Sequence, residues 1–131
     1  MREILFRGKC NEIGKKCGQW IEGFYAEDDG KPLIAINKEN GLNGFFVDPS
    51  TVGQFTGLTD KNCKKIFEGD IVVVPLSGKP AKGIVEYFKT DICGFTVITQ
   101  PQYSNYVLQK NYAYEVIGNI HDNPELFGVT E

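Results

Sequence analysis

The sequence has very few of the residues on which most catalytic centres depend. Its 131 residues include one histidine, one tryptophan and one methionine. The histidine, His121, has no identifiable base or acid partner in the sequence, so a catalytic triad or a histidine-rich metal site is poorly supported. We interpret His121 as a surface or capping residue.

Long apolar runs are also absent. No stretch approaches the length that a membrane-spanning helix needs. Residues 1–9 carry several charges where a signal peptide would need an apolar segment. We therefore expect a cytoplasmic protein that does not act in a membrane.

The chain has little excess charge of either sign. It carries 14 basic and 17 acidic residues, a formal net charge of -3. Because phosphate neutralisation dominates nucleic-acid affinity, an acidic chain binds nucleic acid only through a locally concentrated basic patch.

The four cysteines, Cys10, Cys17, Cys63 and Cys93, do not form the close pairs typical of zinc ligands. Disulfides are not expected in the cytoplasm either. We therefore predict four unconnected thiols and assign the chain no metal and no cofactor.

Short strand-like runs separated by turn signals predict a mainly-β protein. The predicted strands are 19–25, 33–36, 44–47, 65–67, 71–74, 83–88, 94–99 and 112–120. Residues 1–60 form an N-terminal β-rich lobe in this interpretation. Residues 61–131 supply about five short strands, as a small bent barrel needs, followed by a terminal helical turn. We expect the two parts to pack as one compact unit.

Local signals refine this prediction at four places. Asp48-Pro49 and Asn123-Pro124 each combine an N-cap residue with proline at the first helical position, which predicts a short helical turn. The β-branched run 71–74 suits a strand that is buried on both faces or lies at a barrel seam. Gly118 is a candidate β-bulge.

The densest signal is residues 55–72, which read as two successive reverse turns that organise short strands. Together with residues 2–7 and 19–25 at the beginning and 115–126 at the end, this segment resembles the YopX family of phage and prophage proteins. The resemblance spans nearly the whole chain in order. Two positions depart from the family pattern: Cys63 replaces the usual glycine, and Lys65 a commonly acidic residue. Since asparagine followed by glycine accepts positive φ more easily than Asn62-Cys63 does, the tightness of a two-residue turn here is in question.

The resemblance implies a β-rich fold with an SH3-like barrel in the C-terminal part. It also implies a protein encoded by a mobile element and acting in a bacterial host cell. No catalytic or cofactor-binding residues are transferred by it.

The acidic residues of the central segment have two interpretations. Asp60, Glu68 and Asp70 could form a carboxylate cluster for a metal or for acid–base chemistry. Because each lies in a turn, where aspartate commonly accepts hydrogen bonds from nearby backbone N–H groups, we interpret them as turn residues. Cys63 lacks an identified base, so we do not assign it as a nucleophile.

Five residues are candidates for partner binding: Lys61, Lys64, Lys65, Tyr103 and Tyr106. We expect a non-enzymatic accessory protein that acts by protein–protein contact or self-association, with a homo-oligomer possible because short open barrels leave unpaired edges. The alternative is a small-barrel nucleic-acid-binding protein, in which the lysines form a basic edge and the aromatic residues stack on bases.

Overall fold

The computed structural model describes residues 4–12, 18–38, 41–75, 80–88, 94–99, 105–108 and 112–127. Within these residues the protein is mainly β, as predicted. The strands are β1 (Phe6–Lys9), β2 (Trp20–Asp28), β3 (Lys31–Lys38), β4 (Gly41–Phe46), β5 (Gly53–Thr59), β6 (Lys65–Phe67), β7 (Asp70–Val74), β8 (Ala81–Phe88), β9 (Gly94–Thr99), β10 (Asn105–Val107) and β11 (Glu115–Asn119). Two 3-10 turns, Pro49–Thr51 and Pro124–Phe127, complete the described elements.

The chain divides into two compact units, Met1–Phe55 and Thr56–Glu131. The predicted arrangement of the lobes 1–60 and 61–131 as one compact unit stays a prediction.

The first unit is an antiparallel meander in the order β4-β3-β2-β1, with the first part of β5 beside β1. The hairpin between β2 and β3 turns at Asp29-Gly30, whose φ angles are 55° and 78°. Positive φ at both central residues is the type I′ geometry, and it matches the twist of the flanking strands. An antiparallel bridge between Cys10 and Val47 joins the chain after β1 to the end of β4.

The core of the first unit lies on one face of this meander. Its buried residues are Cys10, Ile21, Ile34 and Val47, and partly buried apolar residues surround them. Removing an aliphatic side chain of this size from water contributes about 1.5–3 kcal/mol. This face therefore holds the meander together, while the opposite face carries both buried residues, such as Ala35, and exposed ones, such as Phe24 and Leu42.

The second unit contains an antiparallel sheet in the order β10-β9-β8-β7-β11, and β6 pairs with β5. β7 is buried along most of its length, which confirms the interpretation of residues 71–74 as a doubly buried strand. The β7–β11 register shifts between Val116 and Gly118, which confirms the predicted bulge. The core cluster consists of Ile66, Val72, Val74, Val85, Val97 and Tyr114.

Both predicted helical turns are confirmed. Pro49–Thr51 begins after Asp48, whose Oδ1 accepts the Ser50 N–H at 3.1 Å. No helix in the described part of the chain is long and apolar enough to cross a membrane.

Several predicted boundaries differ from those observed. The hairpin strands β2 and β3 extend to Asp28 and from Lys31, because the Asp29-Gly30 turn lets them pair to their ends. Strands β1 and β5 were not predicted, and neither was β10. In the predicted strand 112–120, only Glu115–Asn119 is β-structure.

Candidate functional site

The loop between β5 and β6 is built around the carboxylate of Asp60. Its Oδ1 accepts the N–H groups of Asn62 at 2.8 Å and Lys64 at 2.9 Å. Its Oδ2 accepts the N–H of Val116, in β11, at 2.9 Å. Burial raises the pKa of Asp60, but the backbone N–H donors and the charge of Lys64 outweigh it, so the net pKa lies below the ordinary value. Asp60 is thus a structural anchor, which confirms its interpretation as a turn residue.

Cys63 occupies a position that favours glycine. The Cys63 N–H donates to the Asp60 carbonyl at 3.0 Å, and the Asp60 N–H donates to the Lys64 carbonyl at 2.8 Å. The loop between Asp60 and Lys64 therefore has three residues, 61–63. Its last residue, Cys63, has a left-handed backbone conformation with a φ of 66°. The two-residue turn considered from the sequence is not formed. The chain keeps this geometry with cysteine at the cost of backbone strain.

The second predicted turn is also confirmed as a scaffold. The Oδ2 atom of Asp70 accepts the Phe67 N–H at 2.7 Å, and Gly69 has a φ of 93°. A Cβ on Gly69 would lie 3.6 Å from the Nε2 atom of His121, which places the imidazole against this turn. Glu68 is half-buried. No group of three or more metal-binding side chains exists among the described residues.

The three candidate lysines lie in and just after the β5–β6 loop. Lys61 and Lys64 are exposed, and Lys65 begins β6 and is half-buried. The Lys61 Nζ atom lies 3.5 Å from Oε1 of Glu115, and the Lys61 N–H donates to the Tyr114 carbonyl at 2.8 Å. Lys61 is therefore paired with an acid in this structure.

The two candidate tyrosines are not both described. Tyr106 lies on β10, opposite Val97, with 39% of its surface exposed. β10 and β11 are the two outermost strands of their sheet, and Lys61 contacts Glu115 of β11. Tyr103 lies outside the described residues.

An exposed apolar cluster among the described residues was not predicted from the sequence. It lies on the face of β2, β3 and β4 that points away from the core of the first unit. We name it the outer patch and define it by four large apolar side chains: Phe24, Leu33, Leu42 and Phe46. Phe24 and Leu42 are 55% and 65% exposed, while Leu33 and Phe46 are half-buried.

The strand register explains why these side chains share one face. Phe24 lies opposite Ala35, which lies opposite Gly44, and Leu33 lies opposite Phe46. Directly paired residues point to the same side of a sheet, and side chains two positions apart on a strand do as well. The small residues Ala35 and Gly44 lie between these larger apolar side chains, and Leu33 covers the glycine, because a Cβ on Gly44 would lie 3.0 Å from Cδ1 of Leu33.

Basic and aromatic residues flank this face on β1 and β2. The guanidinium carbon of Arg7 lies 4.6 Å from the centre of the Trp20 ring, and the Lys9 Nζ atom lies 5.9 Å from it. Arg7 is only 9% exposed and Lys9 is half-buried, so Lys9 is the more accessible of the two cations beside this face.

A groove of about 610 Å³ adjoins the outer patch at Phe46. Its lining includes Pro32, Val47 and Pro49, with Glu12 and Lys31 supplying charge. The Glu12 carboxylate accepts the Phe46 N–H at 2.7 Å, so this acid already serves the backbone. The groove offers apolar walls and no catalytic arrangement.

Among proteins with curated functions, none matches the chain. The crystal structure of protein EF1440 from Enterococcus faecalis is similar in fold, with a TM-score of 0.60 and 21% sequence identity over 97% of this chain and 99% of that one. The family model described as YopX protein matches residues 6–128. The chain therefore belongs to the YopX family.

Proposed function

We propose that this protein is a non-enzymatic accessory protein of phage or prophage origin that acts by protein–protein contact through the outer patch. The observation that carries the proposal is the exposure of Phe24 and Leu42, 55% and 65%, on one face of one sheet. Contiguous exposed apolar side chains on a folded domain commonly mark an interaction site.

The acids of the central segment favour binding over catalysis. The Asp60 and Asp70 carboxylates accept backbone N–H groups and hold turns in place. A general base needs a carboxylate directed at a reacting group. We therefore assign no catalytic residue.

Two further elements belong to the proposal. We infer an SH3-like arrangement for residues 61–131, supported by the strand order β10-β9-β8-β7-β11 in the described residues. We also propose that the protein acts in the bacterial cytoplasm, a proposal that the free thiols of Cys10 and Cys63 support, since thiols stay reduced in that compartment.

The test is affinity capture from prophage-induced bacterial cells with the wild type, Phe24→Asp and Tyr87→Asp. Tyr87 is 41% exposed on β8, in the second unit, and serves as a matched control. A captured protein must then be purified and titrated against each variant. We expect Phe24→Asp to raise the Kd by about tenfold or more, since loss of a central aromatic contact typically costs over 1 kcal/mol.

Two outcomes would count against contact through the outer patch. Equal binding by the wild type and Phe24→Asp would remove the outer patch as the contact site. Recovery of nucleic acid alone, removable by nuclease and retained less at high salt, would favour the nucleic-acid alternative for Lys61, Lys64 and Lys65.

A further inference from the structure

The outermost strand of the first unit, β4, carries neither the charged residues nor the proline that commonly protect a sheet edge. Its sequence, Gly41–Phe46, contains no charged residue and no proline, and its first four residues are exposed. Natural edge strands usually carry charges, proline or a bulge because an unprotected edge pairs with other strands. β4 is therefore a site where strand pairing is expected.

The register shows which backbone groups of β4 are available. The Val47 N–H donates to the Pro32 carbonyl at 3.2 Å. Hydrogen-bonded pairs recur every second residue in an antiparallel ladder, so Asn43 and its odd-numbered neighbours bond to β3. The even-numbered residues Leu42, Gly44 and Phe46 direct their N–H and C=O groups to the open side.

In the described part of the chain, residues 11 and 12 cover one end of this open side. The Phe46 N–H donates to Oε2 of Glu12, and the Phe46 carbonyl accepts the Asn11 N–H at 3.1 Å. Among the residues that the structure describes, the outward groups of Leu42 and Gly44 have no hydrogen-bond partner. Two adjacent outward positions are thus available to a further strand.

The sequence of β4 complements itself in antiparallel register. If Asn43 lies opposite Asn43 of a second copy, then each Leu42 lies opposite a Gly44. Each such pair exchanges two backbone hydrogen bonds. The Leu42 side chain, 65% exposed in the single chain, then lies beside Gly44 and the Leu33 side chain that covers it, since a Cβ on Gly44 would lie 3.0 Å from Cδ1 of Leu33. Leu42 and Gly44 both lie on the face that carries the outer patch.

We propose that β4 pairs with β4 of a second copy of this chain across a two-fold axis, centred on Asn43. This inference rests on the proposed function, since it names a second copy as one partner of the contact surface. The two outer patches then lie side by side on one extended sheet face.

Disulfide trapping tests the register. Residues opposite one another at a non-hydrogen-bonded position have Cα atoms about 4.5 Å apart, within the range of about 4.4–6.8 Å that a disulfide spans. In a Cys63→Ser background, which removes an exposed thiol, Asn43→Cys should form a covalent dimer under mild oxidation. Leu42→Cys, which lies opposite Gly44 of the second copy, should form several-fold less covalent dimer. No dimer above the Cys63→Ser background, or equal dimer from both variants, would overturn the proposal.

Association in solution gives an independent test. The mass of the wild type, measured by sedimentation from micromolar to millimolar concentration, should rise from monomer towards dimer. Leu42→Lys should weaken this association about tenfold or more, because it puts a charge in place of a leucine that pairing of the two strands would remove from water. Tyr87→Lys, a matched exposed substitution in the second unit, should leave it unchanged. A wild type that stays monomeric throughout contradicts the pairing.

The two proposals can fail separately. If trapping and association fail but Phe24→Asp still weakens binding of a purified partner protein, only the pairing of β4 is wrong. If trapping succeeds and Phe24→Asp leaves partner binding unchanged, only the proposed contact through the outer patch is wrong.

Discussion

Replacement of Asp60 by alanine should destabilise the second unit by about 3 kcal/mol. The carboxylate is 6% exposed and accepts three backbone N–H groups. Hydrogen bonds to a charged group contribute about 1.5–3 kcal/mol each, but water can reach the exposed loop and replace part of that energy. The expected loss of stability is therefore well below the sum of the three hydrogen-bond energies.

Replacement of Asp60 should speed the exchange of nearby amide protons as well as lower the overall stability. In Asp60→Ala the amide protons of Asn62, Lys64 and Val116 lose their acceptor and should exchange with solvent faster. Amide exchange by NMR and urea unfolding by circular dichroism measure the two effects. Asp48→Ala is the control, because Asp48 caps an exposed 3-10 turn in the first unit and should cost only about 0.5–2 kcal/mol.

The stabilisation by the Asp60 carboxylate should decrease as the pH falls. The folded pKa of Asp60 is lower than the ordinary value of 3.8. Its stabilising contribution is therefore complete above the unfolded pKa and is lost as the pH falls through the lower folded pKa. The stability difference between the wild type and Asp60→Ala should be largest at neutral pH and shrink below about pH 4. A loss under about 1 kcal/mol at neutral pH, or unchanged exchange of the three amides, would refute the reasoning.

Three smaller predictions concern backbone geometry and a surface pair. Cys63→Gly should stabilise the protein by about 1 kcal/mol in urea unfolding, because it relieves a positive φ, whereas Cys63→Ala should not. Gly118→Ala should cost about 2 kcal/mol, since a Cβ there would lie 2.6 Å from Oδ1 of Asn123, and adding Asn123→Ala should recover part of the loss. The Tyr25 hydroxyl donates to Oε2 of Glu27, which raises the pKa of Tyr25; spectroscopic titration should show that Glu27→Gln lowers it.

The sequence by itself determined the class of structure and several local features. Alternating apolar residues and turn signals identified a mainly-β protein, and the β-branched run 71–74 identified a buried strand. Proline after an N-cap residue located both helical turns. These features depend on residues close in the chain, so local sequence is sufficient to predict them. The Asp29-Gly30 pair is a strong local hairpin signal as well. A prediction that used it would have extended the predicted strands on either side of this turn.

The tertiary structure decided the ends of the strands and the surface that we propose for binding. Asp60 could be assigned to a turn from sequence, but its bond to Val116 joins residues 56 positions apart. Likewise, Phe24 and Leu42 share a face only because β3 pairs with both β2 and β4 in a particular register. Which side of a strand is buried depends on long-range pairing, and a shift of one residue would reverse it. For that reason the outer patch and the open edge of β4 could be found only after the strands were paired.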